Sequence, residues 1–324
     1  MADITASMVK ELRDRTQAGM SDCKNALVEA GGDMEKAVEI ILKKGLAKAA
    51  SRAGRIAAEG EVGTWVAPDG KRGVMVEVNC QTDFVARGDD FKGFVKNVLE
   101  VASKATSAAG RPQYQGTGAD LGAQKYPGTD KTVEQVRAEM VAKTGENTVV
   151  RRWGSLEARE ANGIVHAYVH AGGKLAVLVH AEAPDAKNAE FKTFVDNVAM
   201  QIAAMNPSVV RKDQLSPAQV DKQKDIFQGQ MKEEQAAGTL KAPEAAWPKI
   251  IEGKLTKWFT EVTLLGQDNV WDPPAGSIDK IRQELSKKLG GEVTIHAFLR
   301  FSLGEGIEKK TEDLAAEVAK TIGG

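Results

Sequence analysis

The sequence predicts an α+β chain with four parts: a small three-helix amino-terminal module, a duplicated core of antiparallel sheet plus helices, an inserted antiparallel coiled-coil hairpin and a carboxy-terminal helical module. Three observations carry that prediction. An apolar hairpin pattern followed by an amphipathic helix occurs twice, at 63–78 with 91–98 and at 163–179 with 191–198. Short apolar stripes at helical spacing fill residues 1–45. Between 217 and 262, two further stripes face each other across a turn region.

Residues 1–45 form the first module. Ile4, Met8, Val9 and Leu12 make one stripe, Cys23, Ala26, Leu27 and Ala30 a second, and Met34, Ala37, Val38 and Ile41 a third. Ser21 and Asp33 read as N-caps, and Gly31 and Gly45 as left-handed helix stops. So small a unit buries little apolar area, which makes the region around Met20 a candidate contact surface. Residues 46–58 read as an alanine-rich linker helix carrying Lys48, Arg52 and Arg55. A basic helix for nucleic acid is the alternative, weakened by the shortness of the patch and its lack of interleaved aromatics.

The first core subdomain spans 59–145. Its hairpin turns at Asp69-Gly70 and that of the second copy at Gly172-Gly173, pairs suited to the positive φ of tight turns. Val74, Val76 and Val78 alternate on a strand that feeds into Asn79-Cys80-Gln81-Thr82-Asp83-Phe84-Val85-Ala86-Arg87. Phe91, Phe94, Val95 and Val98 follow at helical spacing, as Phe191, Phe194, Val195 and Val198 do in copy two. The copy-two loop, Glu182-Ala183-Pro184-Asp185-Ala186-Lys187-Asn188, lacks any aromatic. Phe84 is therefore either a plug over the core or a wedge for a partner. Spacing alone favours the plug, because most aromatics are core. Residues 110–129 read as an irregular surface loop, and Val133, Val136, Met140 and Val141 as a helix ending at Gly145.

The second subdomain, 146–303, opens on Arg151 and Arg152, which either face solvent or meet a partner's carboxylates. It carries the hairpin insertion at 217–262, where Val220, Phe227 and Met231 oppose Trp247, Ile251, Leu255, Trp258 and Val262. Val293, Ile295, Ala297, Leu299, Phe301 and Leu303 share one parity of a last strand, long enough to join the sheet of copy two. Residues 304–324 form the carboxy-terminal module, with Leu314, Val318 and Ile322 marking a helix.

Composition narrows the function. The 44 basic and 45 acidic residues nearly cancel, which argues against a protein held by a nucleic-acid backbone. Two cysteines, Cys23 and Cys80, at no metal-like spacing suit a reducing compartment. With no signal-like amino terminus and no apolar run of about 18 residues, a soluble cytoplasmic protein is expected. There is no phosphate-binding loop and no nucleophile–base pair. His166, His170, His180 and His296 stand without Cys or Glu at ligand spacing, so no metal site is expected. Such a chain acts by binding rather than as an enzyme.

Three segments, in order along nearly the whole chain, resemble signatures of the bacterial translation elongation factor Ts family. They are Leu12-Arg13 with Thr16 to Leu27, Asn79 with Thr82 to Arg87, and Phe301 to Glu308. The resemblance implies a guanine-nucleotide exchange factor that binds elongation factor Tu with GDP, disrupts its magnesium and phosphate site and lets GTP rebind. It implies Asp83 and Phe84 as the disrupting residues, with Asn79, Gln81, Thr82, Val85 and Arg87 supporting their loop. The first module resembles a ubiquitin-associated fold and, by the same likeness, anchors the partner through Leu12, Arg13, Met20, Asp22 and Cys23. Leu314 and Val318 are carboxy-terminal contact candidates. No cofactor of its own is implied, since the partner carries the GDP or GTP and the magnesium. Direct nucleotide binding and a membrane are not expected, RNA binding is disfavoured, and a homo-oligomer stays open.

Overall fold

A computed structural model of the chain describes residues 4–16, 18–105 and 113–308. Leu314, Val318 and Ile322 lie outside the described residues.

The first module packs α1 (Ala6–Thr16), α2 (Met20–Glu29) and α3 (Met34–Arg52) around Val9, Leu12, Cys23, Leu27, Ala37 and Ile41. Asp33 caps α3 by accepting the Lys36 amide at 3.1 Å, and Gly31 is left-handed. Two expected helix signals fail. Ser21 lies inside α2, whose N-cap is Gly19, and Gly45 lies buried inside α3. The helix runs past Gly45 because its next turns find a new apolar partner: Leu46 and Ala49 pack on Ala138 and Val141. The linker helix expected over 46–58 is thus the end of α3, and the chain leaves helix after Arg52.

The next elements are β1 (Glu59–Val66), β2 (Arg72–Cys80), α4 (Asp83–Arg87), α5 (Asp89–Lys104), β3 (Gln113–Thr117), α6 (Ala119–Gly122), α7 (Val133–Thr144) and β4 (Val149–Glu157). They build an antiparallel sheet of order β1-β2-β4-β3. Strand β3 and helix α6 occupy 113–122 of the irregular loop expected at 110–129, while 123–129 stay without helix or strand and 110–112 lie outside the described residues. The strand owes its state to pairing with β4 and to Tyr114 against Trp153, ring centroids 4.7 Å apart. The second sheet, β5-β6-β7, comes from β5 (Gly163–His170), β6 (Leu175–Glu182) and β7 (Thr294–Ser302). Between its last two strands lie α8 (Ala189–Met205), α9 (Pro217–Ala236), α10 (Trp247–Val262) and α11 (Ile278–Leu289), the last not expected from periodicity. Helices α9 and α10 form the hairpin insertion, closed by Met231, Trp247, Ile251 and Leu255.

The sheets stack face to face through Val62, Met75, Leu156, Val165, Leu178, Leu299 and Phe301. Gly73 and Gly154 permit the approach, since a Cβ on either would meet Val165 Cγ1 at 2.5 Å or Leu299 Cδ1 at 2.9 Å. Helix α5 covers the outer face of sheet one, and α8 and α11 cover that of sheet two. Neither hairpin turns as a two-residue loop. Asp69 is not left-handed although Gly70 is, and in copy two Ala171, Gly172 and Gly173 all have positive φ.

Candidate partner-docking site

The stretch from Asn79 to Arg87 begins as the end of β2 and then departs from it. Thr82 caps α4, its hydroxyl accepting the Val85 amide at 3.3 Å. The same hydroxyl donates to Glu146 Oε1 at 2.6 Å, while the amides of Gln81 and Thr82 donate to Glu146 Oε2 at 3.2 and 3.0 Å. Gln81 Oε1 in turn accepts the Asn147 amide at 2.9 Å. One carboxylate following α7 therefore holds the loop at three points, and charge-assisted bonds of this kind are the stronger ones.

On that base α4 turns Ala86 inward and Phe84 outward. Ala86 is buried and Val85 packs on the same core, whereas Phe84 is 85% exposed. The plug that spacing favours is thus overturned. A helix of five residues has room for one inward face, and Val85 and Ala86 already fill it. Asp83 is exposed beside Phe84 and pairs with Arg87 at 2.8 Å, one turn on. Asn79 does not reach the surface. It is buried, and its Nδ2 donates to Glu77 Oε1 at 3.2 Å.

Against α4 stands the tip of the other copy. A cleft of about 650 Å³ is lined by Glu59, Glu61, Gln81, Asp83, Arg87, Lys92, Gly172 and Lys174 among others. The tip is tied to β1 by the Val62 amide on the Gly173 carbonyl at 2.8 Å and by Lys174 on Glu59 at 2.7 Å. Burial pushes the Glu61 carboxyl above its ordinary range, with Lys92 opposing. Sequence reasoning missed Glu61, Lys92 and Lys174 because the two copies meet only in three dimensions.

Of the residues proposed for anchoring, Arg13 and Met20 are exposed, Met20 by 51%. Leu12 and Cys23 are not available for contact, being fully buried in the module core. Asp22 is half-buried and engaged by Lys48 at 2.9 Å. Two of the three charges of the basic-helix alternative are engaged within the chain, Lys48 by Asp22 and Arg52 by the Val141 carbonyl at 3.1 Å, while Arg55 is exposed.

Arg151 and Arg152 neither face solvent nor await a partner's carboxylates. They grip Glu77, which is 0% exposed, at 2.9 and 2.6 Å. The Gly304 amide adds a bond to Glu77 at 2.8 Å, and a Cβ on Gly304 would sit 2.7 Å from the Ala58 carbonyl. A buried carboxylate needs such a full set of partners. The segment after β7 is thereby stitched to sheet one.

Fold and site present an exposed aromatic and carboxylate on a braced loop beside a cleft, the features of a candidate docking surface. The comparisons with known proteins give the family. The family model described as Elongation factor TS matches residues 81–305. The chain is 44% identical to Elongation factor Ts of Clostridium kluyveri over 322 residues, covering 99% of each. It is 43% identical to that of Parvibaculum lavamentivorans over the whole of both chains, and 40% identical to that of a Nostoc species over 100% of this chain and 99% of the relative. The chain belongs to the elongation factor Ts family, the translation factors of protein biosynthesis.

Proposed function

We propose that the chain is a guanine-nucleotide exchange factor that binds elongation factor Tu carrying GDP and promotes GDP release, so that GTP rebinds during elongation in the cytoplasm. Asp83 and Phe84 intrude beside the partner's magnesium and phosphate site, while Arg13 and Met20 anchor the first module. The observation that carries this reading is Phe84 itself, 85% exposed on a helix whose base is fastened by Glu146. An exposed aromatic on a rigid support keeps its burial energy for a partner, about 1.5–3 kcal/mol.

Exchange requires that factor and nucleotide weaken each other equally. A thousandfold loosening corresponds to about 4 kcal/mol of coupling. Burial of Phe84 supplies part of that, and the Asp83 carboxylate opposes a magnesium shell that demands near-ideal geometry. Arg87, one turn on, pairs with that carboxylate and holds it on the exposed face of α4. No nucleotide site on this chain is needed for any of these steps.

The test is release of a fluorescent GDP from elongation factor Tu, with the parent and with Phe84→Ala. The parent accelerates release, and the variant, still folded by circular dichroism, loses about tenfold or more of that acceleration. Unchanged exchange by the variant would remove Phe84 from the mechanism. A folded parent that leaves release unaltered would remove the function.

A further inference from the structure

The strand bulges of the two copies fall at equivalent places. In sheet one, Glu77 opposes Arg152 and Val78 opposes Val150, so Arg151 is the extra residue and turns onto Glu77. In sheet two, His180 opposes Ala297 and Ala181 opposes Ile295, so His296 is the extra residue. Its ring stacks on His180 with centroids 4.5 Å apart. The hairpin registers make His180 the counterpart of Glu77, since Val62 opposes Glu77 as Val165 opposes His180. Copy one thus surrounds a buried carboxylate with guanidinium groups. Copy two flanks a buried and a half-buried imidazole with carboxylates: Glu160 Oε2 lies 2.8 Å from His180 Nε2, and Glu182 Oε2 lies 3.1 Å from His296 Nε2.

We propose that Glu160, His180 and His296 form a binding site for a first-row divalent cation, zinc by the chemistry of the donors, with Glu182 orienting His296. One ligand atom from each of the three already lies within 4.8 Å of the others. Zinc bonds of about 2.0–2.2 Å at tetrahedral angles place ligand atoms about 3.4 Å apart, so the set closes by little more than about an ångström. Glu160 supplies the movement, because its side chain is one-third exposed on the turn between β4 and β5. That turn is otherwise well held: Lys71 Nζ donates to the carbonyls of Glu160, Ala161 and Gly163 at 2.8, 2.8 and 2.6 Å. A supported ligand and a carboxylate on the second histidine are what an outer shell provides at metal sites.

A divalent ion balances the two carboxylates, as the arginine cations balance Glu77 in copy one. Access is open, since His296 also lines a cleft of about 440 Å³ between β7, β3 and residues 206–210. Two imidazoles and one carboxylate suit zinc rather than magnesium or calcium and leave a fourth position to water. The bound ion ties the β4–β5 connection to β6 and β7 at the rim of the inter-sheet core.

The experiment uses the full chain, stripped with chelator and titrated with zinc chloride, with binding followed by calorimetry and metal content by mass spectrometry. His180 is nearly buried, so the variants are the more accessible His296→Gln and Glu160→Gln, with His166→Gln as a control on the opposite face of sheet two. One zinc per chain is expected, with affinity at least about tenfold weaker in both variants and unchanged in the control. Zinc raises the melting temperature of the parent and of His166→Gln, and not of the two ligand variants. Cobalt in place of zinc shows the intense visible absorption of a tetrahedral site. Sub-stoichiometric uptake overturns the site, as does binding undiminished in both variants or weakened equally by His166→Gln.

Discussion

The two copies of the hairpin–helix unit solve one connection in two ways. In copy two, residues 183–188 drop straight from β6 into α8. Asn188 Oδ1 accepts the amides of Glu190 and Phe191 at 2.9 and 3.1 Å, and Ala186 packs inward. In copy one, residues 81–88 insert the extra turn α4, fastened by Glu146 from outside the unit, and present Phe84 to solvent. Both helices nonetheless bury the same apolar face, with Phe91 and Phe94 in one and Phe191 and Phe194 in the other. Packing therefore does not require the longer loop. An exposed aromatic that the fold can do without fits the role proposed for Phe84 against a partner.

The sharpest way to break the comparison is to make the same change in each copy. Phe191→Ala removes a fully buried ring and should cost about 3–5 kcal/mol in urea unfolding. Phe84→Ala should alter stability by no more than about 0.5 kcal/mol while abolishing most exchange. Equal stability losses would show that Phe84 belongs to the core after all. Cys80 sharpens the contrast at the base of the loop, where the hairpin register gives copy two the buried Ala183. Burial, then Glu146 and Glu59, push its thiol up to about 12. At pH 8 the native thiolate is scarcer than that of an unfolded cysteine by on the order of a thousandfold, so alkylation of Cys80 should await unfolding. The sign for stability follows: the unfolded thiol ionises first, so this contribution is complete below pH 9 and is lost as pH rises toward 12. Fast labelling of the native chain at pH 8 would show that the base of the loop opens.

Smaller effects separate the braces. Glu146→Ala removes three bonds to the copy-one loop and should cost about 1–3 kcal/mol, with slower exchange because α4 loses its support. Asn188→Ala removes the copy-two cap and should cost about 1 kcal/mol in the same denaturation experiment, with exchange intact. If Asn188→Ala slowed exchange as much as Glu146→Ala, the loops would not be functionally distinct.

Much of this architecture is written in local pattern. The duplication, the three opening helices, the hairpin of α9 and α10 and the last strand could all be read from periodicity, which records which side chains share a face. The motif around Thr82 to Arg87 was equally legible, as was the Asp33 cap. Periodicity does not record what covers a face. Strand β3 carries too few residues to announce itself and exists because β4 offers an edge. Helix α3 outruns Gly45 because Ala138 and Val141 await it, a partnership about ninety residues distant. The carboxylate that Arg151 and Arg152 meet is the chain's own Glu77, and Glu160 comes to His180 only across a strand turn and a sheet. The direction of Phe84 was likewise not fixed in sequence, where the plug is favoured because most aromatics are core. Only the assembled fold, by filling the inward side of α4 with Val85 and Ala86, left the ring outside. The sequence by itself determined most of the longer elements, because their periodicity depends on neighbours a few residues away. The tertiary structure decided which polar groups are paired and which apolar group is left over, because those depend on surfaces that distant segments supply.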